Sequence, residues 1–190
     1  MKMTGNTILI TGGGSGIGRG LAEEFHKRGN RVIIAGRRQS ALDEVTAANP
    51  GMVGLAFDIT DAAGIRSFAG RLARDFPALN VVINNAGIMR DEDLKSSPDN
   101  LDTSEQILTT NLSGPIRLTS FLLPHLRQKA DSTVMMVTSG LAFVPITRTP
   151  TYSATKAALH SYSVSLRHQL QGTATTVVEI IPQGQRKLAC

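Results

Sequence analysis

The sequence is poor in cysteine and in aromatic residues. It contains one cysteine, Cys190, no tryptophan, and only 4% aromatic residues in all. A single cysteine excludes an intramolecular disulfide and any metal site built from several thiolates. The spacing of the four histidines is unlike that of metal ligands, so we expect no metal site; they are His26, His125, His160 and His168.

The sequence also lacks long apolar runs and clustered charge. No apolar run approaches the ~18 residues that a membrane-spanning helix needs. The net charge of +5 would suit a nucleic acid, but the lysines and arginines are scattered and few aromatic side chains could stack on bases. We therefore expect a protein that binds neither nucleic acid nor membrane. With no disulfide and no leader ahead of the first strand, we expect it in the cytoplasm.

What the chain does contain is a regular alternation of short apolar segments and helical patterns. Several apolar segments are continuous, which is typical of a parallel sheet covered by helices on both faces. We therefore expect one α/β domain, 1–190, with a doubly wound, Rossmann-like parallel sheet. The predicted strands are 6–11, 31–35, 52–57, 80–83, 132–138 and 175–181, and the predicted helices are 19–28, 40–48, 62–76, 101–123 and 152–170. Asp61 should cap the helix 62–76.

Two details of the middle of the chain can also be predicted. Pro115 should bend or interrupt the helix 101–123, because proline has no N–H to donate. The acidic cluster Asp91, Glu92 and Asp93 precedes that helix, and we interpret it as a solvated surface patch.

The carboxyl ends of the predicted strands carry glycines or polar side chains. In a parallel sheet these ends form one edge, and ligands bind in the crevice outside it. A purely structural domain has no need to collect such residues there. They are Thr11-Gly12, Gly36-Arg37, Asp58, Asn84-Asn85 and Ser139.

A glycine-rich loop joins the first strand to the first helix. Glycines allow unusual backbone angles and let the main chain approach a pyrophosphate, which the first amides of the following helix can then bind. A flexible turn is the alternative, but a glycine pattern at a strand-to-helix junction favours a dinucleotide. The loop comprises Thr11, Gly12, Gly13, Gly14, Ser15, Gly16, Ile17 and Gly18.

The residues after the second strand indicate which dinucleotide is bound. An NAD site usually has an acidic residue here for the ribose 2′-hydroxyl, whereas an NADP site has arginine for the 2′-phosphate. This chain has Arg37 and Arg38 and no acid. We favour NADP, with NAD as the alternative; two solvent-facing arginines would give the same pattern.

Tyr152 and Lys156 are four residues apart in a predicted helix, so their side chains lie on one face. A phenol titrates near ~10, and bringing its pKa to ~7 needs about 4 kcal/mol, of which an ammonium ~5 Å away supplies roughly 3 kcal/mol. Such a pair is suited to general acid–base catalysis. The spacing also occurs by chance on many helices, so other motifs must support it.

Taken together, these motifs resemble the short-chain dehydrogenase/reductase family. The resemblance covers residues 6–182, and Asn111 falls where the family places a further catalytic residue. The motifs that carry it are Thr11-Gly12-x-x-x-Gly16-x-Gly18, Asn84-Asn85-Ala86-Gly87, Ser139 and Tyr152-x-x-x-Lys156.

The resemblance implies an oxidoreductase acting on a small carbonyl or alcohol. Tyr152 would be the proton donor or acceptor, and Lys156 would lower its pKa and bind the nicotinamide ribose. Ser139 would orient the substrate oxygen, and Asn111 would support a proton relay beside Lys156. Ser139 could instead be a strand-end cap, and Asn111 a buried amide serving the helix backbone.

The resemblance also implies further cofactor contacts and a quaternary structure. Asp58 and Ile59 would contact the adenine, although Asp58 could merely form a turn. Asn85, Ala86 and Gly87 would line the adenine-ribose side, and Pro182 would complete the site. A homodimer or homotetramer is expected, formed through the helices that begin near Leu101 and Tyr152.

The residues 183–190 depart from the family pattern. Family members usually continue with a substrate loop, further helices and another strand, so we expect a shortened chain that lacks these elements. Two hypotheses remain open. The chain is either an active oxidoreductase or a catalytically weak nucleotide-binding fragment or sensor.

Overall fold

A computed structural model of the chain describes residues 1–95 and 101–182. Its six strands form one parallel sheet in the order β3-β2-β1-β4-β5-β6. This is a doubly wound order, so the predicted fold class is confirmed. The strands are β1 (Thr7–Thr11), β2 (Arg31–Gly36), β3 (Val53–Ala56), β4 (Leu79–Asn84), β5 (Ser132–Val137) and β6 (Thr175–Ile180).

Helices cover both faces of the sheet, and within the described ranges none is long and apolar enough to cross a bilayer. A π-helical turn, Thr109–Ser113, joins two of the helices, and a 3₁₀ turn, Gly140–Ala142, follows β5. The helices are α1 (Gly16–Lys27), α2 (Gln39–Ala48), α3 (Ala62–Asp75), α4 (Leu101–Leu108), α5 (Gly114–Leu126) and α6 (Pro150–Gln169).

Two apolar cores lie on opposite faces of the sheet because successive strand residues point to opposite sides. On one face, Leu9 of β1 belongs to a cluster that includes side chains of α3, α5 and α6. On the other face, Ile8 and Ile10 belong to a cluster with side chains of α1 and α2. Both faces of β1 are therefore buried, which explains why its sequence is continuously apolar.

The predicted helix 101–123 is interrupted, as Pro115 indicated. Proline cannot donate to the carbonyl of Asn111 four residues earlier, and the chain forms the π-helical turn Thr109–Ser113 there. Pro115 then lies in the first turn of α5, where its missing N–H is tolerated. Helix α5 continues to Leu126, three residues beyond the predicted end.

Asp61 caps α3 as predicted. Its carboxylate accepts hydrogen bonds from the main-chain N–H groups of Ala63 and Gly64, at 3.1 and 3.0 Å. Such a cap contributes about 1 kcal/mol to stability.

Candidate functional site

A cavity of about 130 Å³ lies at the carboxyl ends of β1, β2, β3 and β4 and includes the point between β1 and β4 where the order of the sheet reverses. Doubly wound sheets bind their ligands at this point. The lining consists of glycines, apolar residues, two threonines and one arginine. Its residues are Thr11, Gly12, Ala35, Gly36, Arg37, Phe57, Ile59, Ala86, Gly87, Ile88 and Thr110.

The glycine-rich loop passes close to the segment that follows β4. Gly12 has a φ of 69°, and its N–H donates to the carbonyl of Ala35 at 2.7 Å. A Cβ atom added to Gly18 would overlap the carbonyl oxygen of Gly12 and the side-chain amide of Asn85. Only glycine therefore permits this approach of α1 to the loop.

Asn85 links the glycine-rich loop to the segment after β4 through hydrogen bonds. Its side-chain amide donates to the carbonyl oxygens of Thr11 at 2.9 Å and of Gly12 at 3.4 Å. In return, the Thr11 hydroxyl accepts from the main-chain N–H groups of Asn85 and Ala86, each at 3.1 Å. The side chain of Asn85 thus holds the loop, while Ala86 and Gly87 line the cavity.

The predicted cofactor residues fall into two groups. Those that line the cavity are Thr11, Gly12, Arg37, Ile59, Ala86 and Gly87. Those outside its lining are Gly14, Ser15, Gly16, Ile17, Gly18, Arg38, Asp58, Asn85, Tyr152, Lys156 and Pro182. Asp58 does form a turn, because its carboxylate accepts from both the N–H and the hydroxyl of Thr60.

Tyr152 and Lys156 lie on consecutive turns of α6, near the end of β5. The ammonium nitrogen of Lys156 lies 5.6 Å from the centroid of the Tyr152 ring. It donates to the carbonyl of Val137 at 2.8 Å. Burial lowers the pKa of Lys156 to about 8.

Asn111 and Lys156 both approach Gly87 at the edge of the cavity. A Cβ atom on Gly87 would lie 3.4 Å from Asn111 Oδ1 and 3.7 Å from Lys156 Nζ. Asn111 is fully buried and exchanges two hydrogen bonds of 2.8 Å with the main chain of Ile88. Its amide therefore serves the segment after β4 rather than its own helix near Pro115.

Ser139 lies beside Tyr152 and also caps the following turn, since its hydroxyl accepts from the N–H of Leu141 at 3.2 Å. Burial raises the pKa of Tyr152, and the Ser139 hydroxyl opposes this effect. Lys156 is not among the groups that shift the pKa of Tyr152 in this structure, so its predicted lowering of that pKa stays a prediction. The phenol is partly removed from water, and this desolvation raises its pKa by more than the hydrogen bond with Ser139 lowers it.

Glu92 also corrects a prediction. Asp91 is exposed and pairs with Arg148 at 3.4 Å, and Asp93 is exposed, but Glu92 has only 7% of its surface exposed. Its carboxylate is buried because donors from α4 and α6 surround it, among them the hydroxyl of Thr151 at 2.6 Å. The sequence, which has three consecutive acidic residues here, does not indicate that the middle one is buried.

Sequence reasoning missed three other residues near the site. Ile88 holds Asn111 through its main chain, and the hydroxyl of Thr155 lies 3.4 Å from the Asn111 amide. Thr110 lines the cavity. The only sign of them in the sequence is that each is adjacent to a predicted site residue: Ile88 to Gly87, Thr110 to Asn111 and Thr155 to Lys156. Across residues 1–95 and 101–182, no group of histidine, cysteine or acidic side chains could hold a metal ion.

The chain is similar in sequence to several known proteins. A family model described as short chain dehydrogenase matches residues 6–186. The chain is 41% identical over 182 residues to the uncharacterized oxidoreductase DltE of Bacillus subtilis, covering 96% of this chain and 72% of DltE. It is 34% identical over 180 residues to a serine 3-dehydrogenase of Rhizobium radiobacter, covering 93% and 70% of the two chains.

Solved structures show the same architecture. The closed form of a serine dehydrogenase complexed with NADP⁺ is 27% identical, with a TM-score of 0.86 over 93% of this chain and 71% of that one. A short chain dehydrogenase/reductase of Burkholderia phymatum in complex with NAD shares the fold, with a TM-score of 0.88 at 23% identity, over 96% and 67% of the two chains. The chain spans 60% of a short chain dehydrogenase of Pseudocercospora fijiensis, so relatives extend well beyond the matched region.

Proposed function

The chain belongs to the short chain dehydrogenase family, and we propose that it is an NADP-dependent oxidoreductase acting on a small carbonyl or alcohol. The observation that carries the proposal is that the side chains of Lys156 and Asn111 both lie close to Gly87, which lines the cavity at the carboxyl ends of the strands. Tyr152 and Ser139 adjoin them. Acid–base groups thus lie beside a crevice of the kind that binds dinucleotides.

The glycine loop and its surroundings fit a dinucleotide. At Gly12, Gly14 and Gly16 the loop has no side chain that would keep a pyrophosphate away from the main chain. In the described part of the chain, the N-cap residue Ser15 makes no side-chain hydrogen bond to the first amides of α1. Those amides would bind the phosphates. Ala86 and Gly87 would hold the neighbouring ribose, and Ile59 the adenine.

The proposed chemistry assigns a proton transfer to Tyr152. When bound, the nicotinamide ring supplies or accepts the hydride. Because burial raises the pKa of Tyr152, its phenol is protonated at neutral pH, as donation to a carbonyl oxygen requires. Ser139 would hold that oxygen, and Lys156 with Asn111 would resupply the proton from the side of Gly87.

The direct test is to follow the absorbance of NADPH while the purified protein is offered a panel of small aldehydes, ketones and hydroxy acids. Turnover of any member supports the proposal. Binding of NADPH with no turnover across the panel would instead support the nucleotide-binding fragment or sensor. The absence of any binding would contradict both hypotheses.

The choice of NADP over NAD rests on Arg37. It is exposed at the end of β2 and lines the cavity, so its guanidinium can meet a 2′-phosphate. We expect Arg37→Ala to weaken NADPH binding by about 10- to 100-fold, since a hydrogen bond to a charged group contributes roughly 1.5–3 kcal/mol. The affinity for NADH should stay nearly unchanged. Calorimetric titration with both nucleotides measures the two affinities.

Arg74→Ala is the matched control for the Arg37 variant. Arg74 is exposed near the end of α3 and pairs with Asp75 at 2.9 Å, so its loss changes the net charge equally without touching the cavity. Equal losses of NADPH affinity in both variants would indicate only a general charge effect. Equal losses for NADPH and NADH in Arg37→Ala would overturn the NADP assignment.

We also propose self-association through α4 and α6, as a homodimer or homotetramer. Helix α4 exposes 64% of Leu101 and 41% of Leu108, which is apolar surface that a second copy could cover. Light scattering should therefore give a mass of at least two chains. A monomeric mass at the concentrations used for activity would refute this assembly.

A further inference from the structure

The side chain of Glu92 is anchored by groups from two helices. Its carboxylate accepts from the main-chain N–H of Thr151 at 3.0 Å, the hydroxyl of Thr151 at 2.6 Å and the hydroxyl of Ser104 at 3.1 Å. The main-chain N–H of Glu92 donates to the carbonyl of Arg148 at 2.9 Å. A buried carboxylate with three donors holds its neighbours in a defined geometry, because any movement would leave charge unsatisfied.

These contacts replace a cap that α6 does not supply for itself. Its N-cap residue is Thr149, whose hydroxyl is buried and, among the residues that the structure describes, has no hydrogen-bond partner. Pro150, the first helical residue, has no N–H. Glu92 lies 59 residues away in sequence from Thr151 and nevertheless satisfies the amide of that residue. An acidic side chain at this end of a helix is also favoured by the helix dipole.

Thr151, whose main-chain N–H donates to Glu92, directly precedes Tyr152. The segment that carries Glu92 starts at Gly87, on the cavity wall, and Asn111 fixes Ile88 in between. Glu92 therefore connects the wall of the cavity to the first turn of α6. Tyr152 lies in that turn, beside Ser139.

We propose that Glu92 is a positioning residue, which fixes the first turn of α6 and thereby holds the phenol of Tyr152 against Ser139. The catalytic consequence rests on the proposed function; the structural statement does not. The simpler alternative is that Glu92 only adds stability to the fold, as Asp61 does at α3. The two roles differ in what happens to Tyr152 when the carboxylate is removed.

The first measurement follows the phenol directly. The chain has two tyrosines and no tryptophan, so in a Tyr162→Phe background the ultraviolet absorbance of phenolate reports Tyr152 alone. Burial raises the pKa of Tyr152. If Glu92→Ala loosens the first turn of α6, the phenol becomes more exposed and its pKa should fall toward the ordinary value near ~10. Glu92→Gln keeps an acceptor for the Thr151 amide and should restore most of the original pKa.

Asp61→Ala is the matched control, because it removes a helix cap of the same type from α3. It should lower thermal stability to a similar extent and leave the pKa of Tyr152 where it was. If Glu92→Ala also leaves that pKa unchanged, or if Asp61→Ala shifts it equally, Glu92 is a stabilising residue only and the proposal is overturned. Thr151→Val removes one hydroxyl donor and should give a smaller shift in the same direction, should Glu92→Ala fail to fold.

The second measurement uses turnover of NADPH. Misplacement of a reacting group by ~1 Å can cost about 100-fold in rate, so we expect Glu92→Ala to lower kcat roughly 10- to 100-fold. The KM for NADPH should be unchanged, and Glu92→Gln should recover most of kcat. An unaltered kcat in Glu92→Ala would count against the proposal. If the wild-type chain shows no turnover, the proposed function fails, but the phenol titration still decides the role of Glu92.

Discussion

Replacing Tyr152 with phenylalanine should lower the rate of NADPH oxidation by about 10²- to 10⁴-fold, the usual contribution of a general acid or base. The substitution removes the hydroxyl and keeps the ring, which is partly buried beside Ser139. The fold and the cavity lining are untouched, because Tyr152 does not line the cavity. Initial rates with a substrate from the carbonyl panel measure kcat, and titration with NADPH measures binding.

The control is Tyr162→Phe, the same chemical change on the same helix. Tyr162 packs against the apolar core away from Gly87, so its variant should retain the kcat of the wild-type protein. NADPH should bind both variants as it binds the wild-type chain. A Tyr152→Phe protein that keeps more than about a tenth of the wild-type rate would show that this phenol is not the proton donor.

Gly18→Ala should destabilise the protein by about 1–3 kcal/mol and abolish measurable NADPH binding, because an added methyl group overpacks a tight junction. The new Cβ would overlap the carbonyl of Gly12 and the amide of Asn85 and would lie 2.9 Å from the carbonyl carbon of Gly12. These atoms are backbone or a hydrogen-bonded amide, so they cannot move aside without breaking the contacts between Asn85 and the loop. Thermal denaturation and NADPH titration measure the two effects.

Gly20→Ala provides the control within the same helix. A Cβ on Gly20 meets no atom within 4 Å, and alanine in a helix is more stable than glycine by about 0.5–1 kcal/mol. This variant should therefore be as stable as the wild-type protein or more so, with unchanged affinity for NADPH. If Gly18→Ala behaves like Gly20→Ala, close packing of the loop against Asn85 is not required for nucleotide binding.

The elements of this fold could be predicted because their signals are local. Strands buried on both faces must be continuously apolar, which made β1, β4 and β5 readable from their residues alone. The break near Pro115 followed from a missing N–H, and the cap at Asp61 from a short-range side-chain bond. Each of these features depends on atoms within a few residues of one another.

The environment of the side chains at the site could not be predicted in the same way. Lys156 was expected to lower the pKa of Tyr152, but the degree to which the phenol is buried depends on how α6 packs against β5 and the turn after it. Asn111 was weighed as a partner for its own helix, yet its amide bonds to Ile88, 23 residues earlier. Such contacts leave no periodic trace in the sequence.

The sequence by itself determined the order of strands and helices, the doubly wound class of the sheet, and the motifs that gather at its carboxyl edge. Only the tertiary structure decided that Glu92 is buried while Asp91 and Asp93 are exposed, and that the phenol of Tyr152 is held in a partly desolvated position. The physical reason is that backbone periodicity is set by neighbouring residues. Desolvation and hydrogen bonding of a side chain are set by whichever distant segments pack against it.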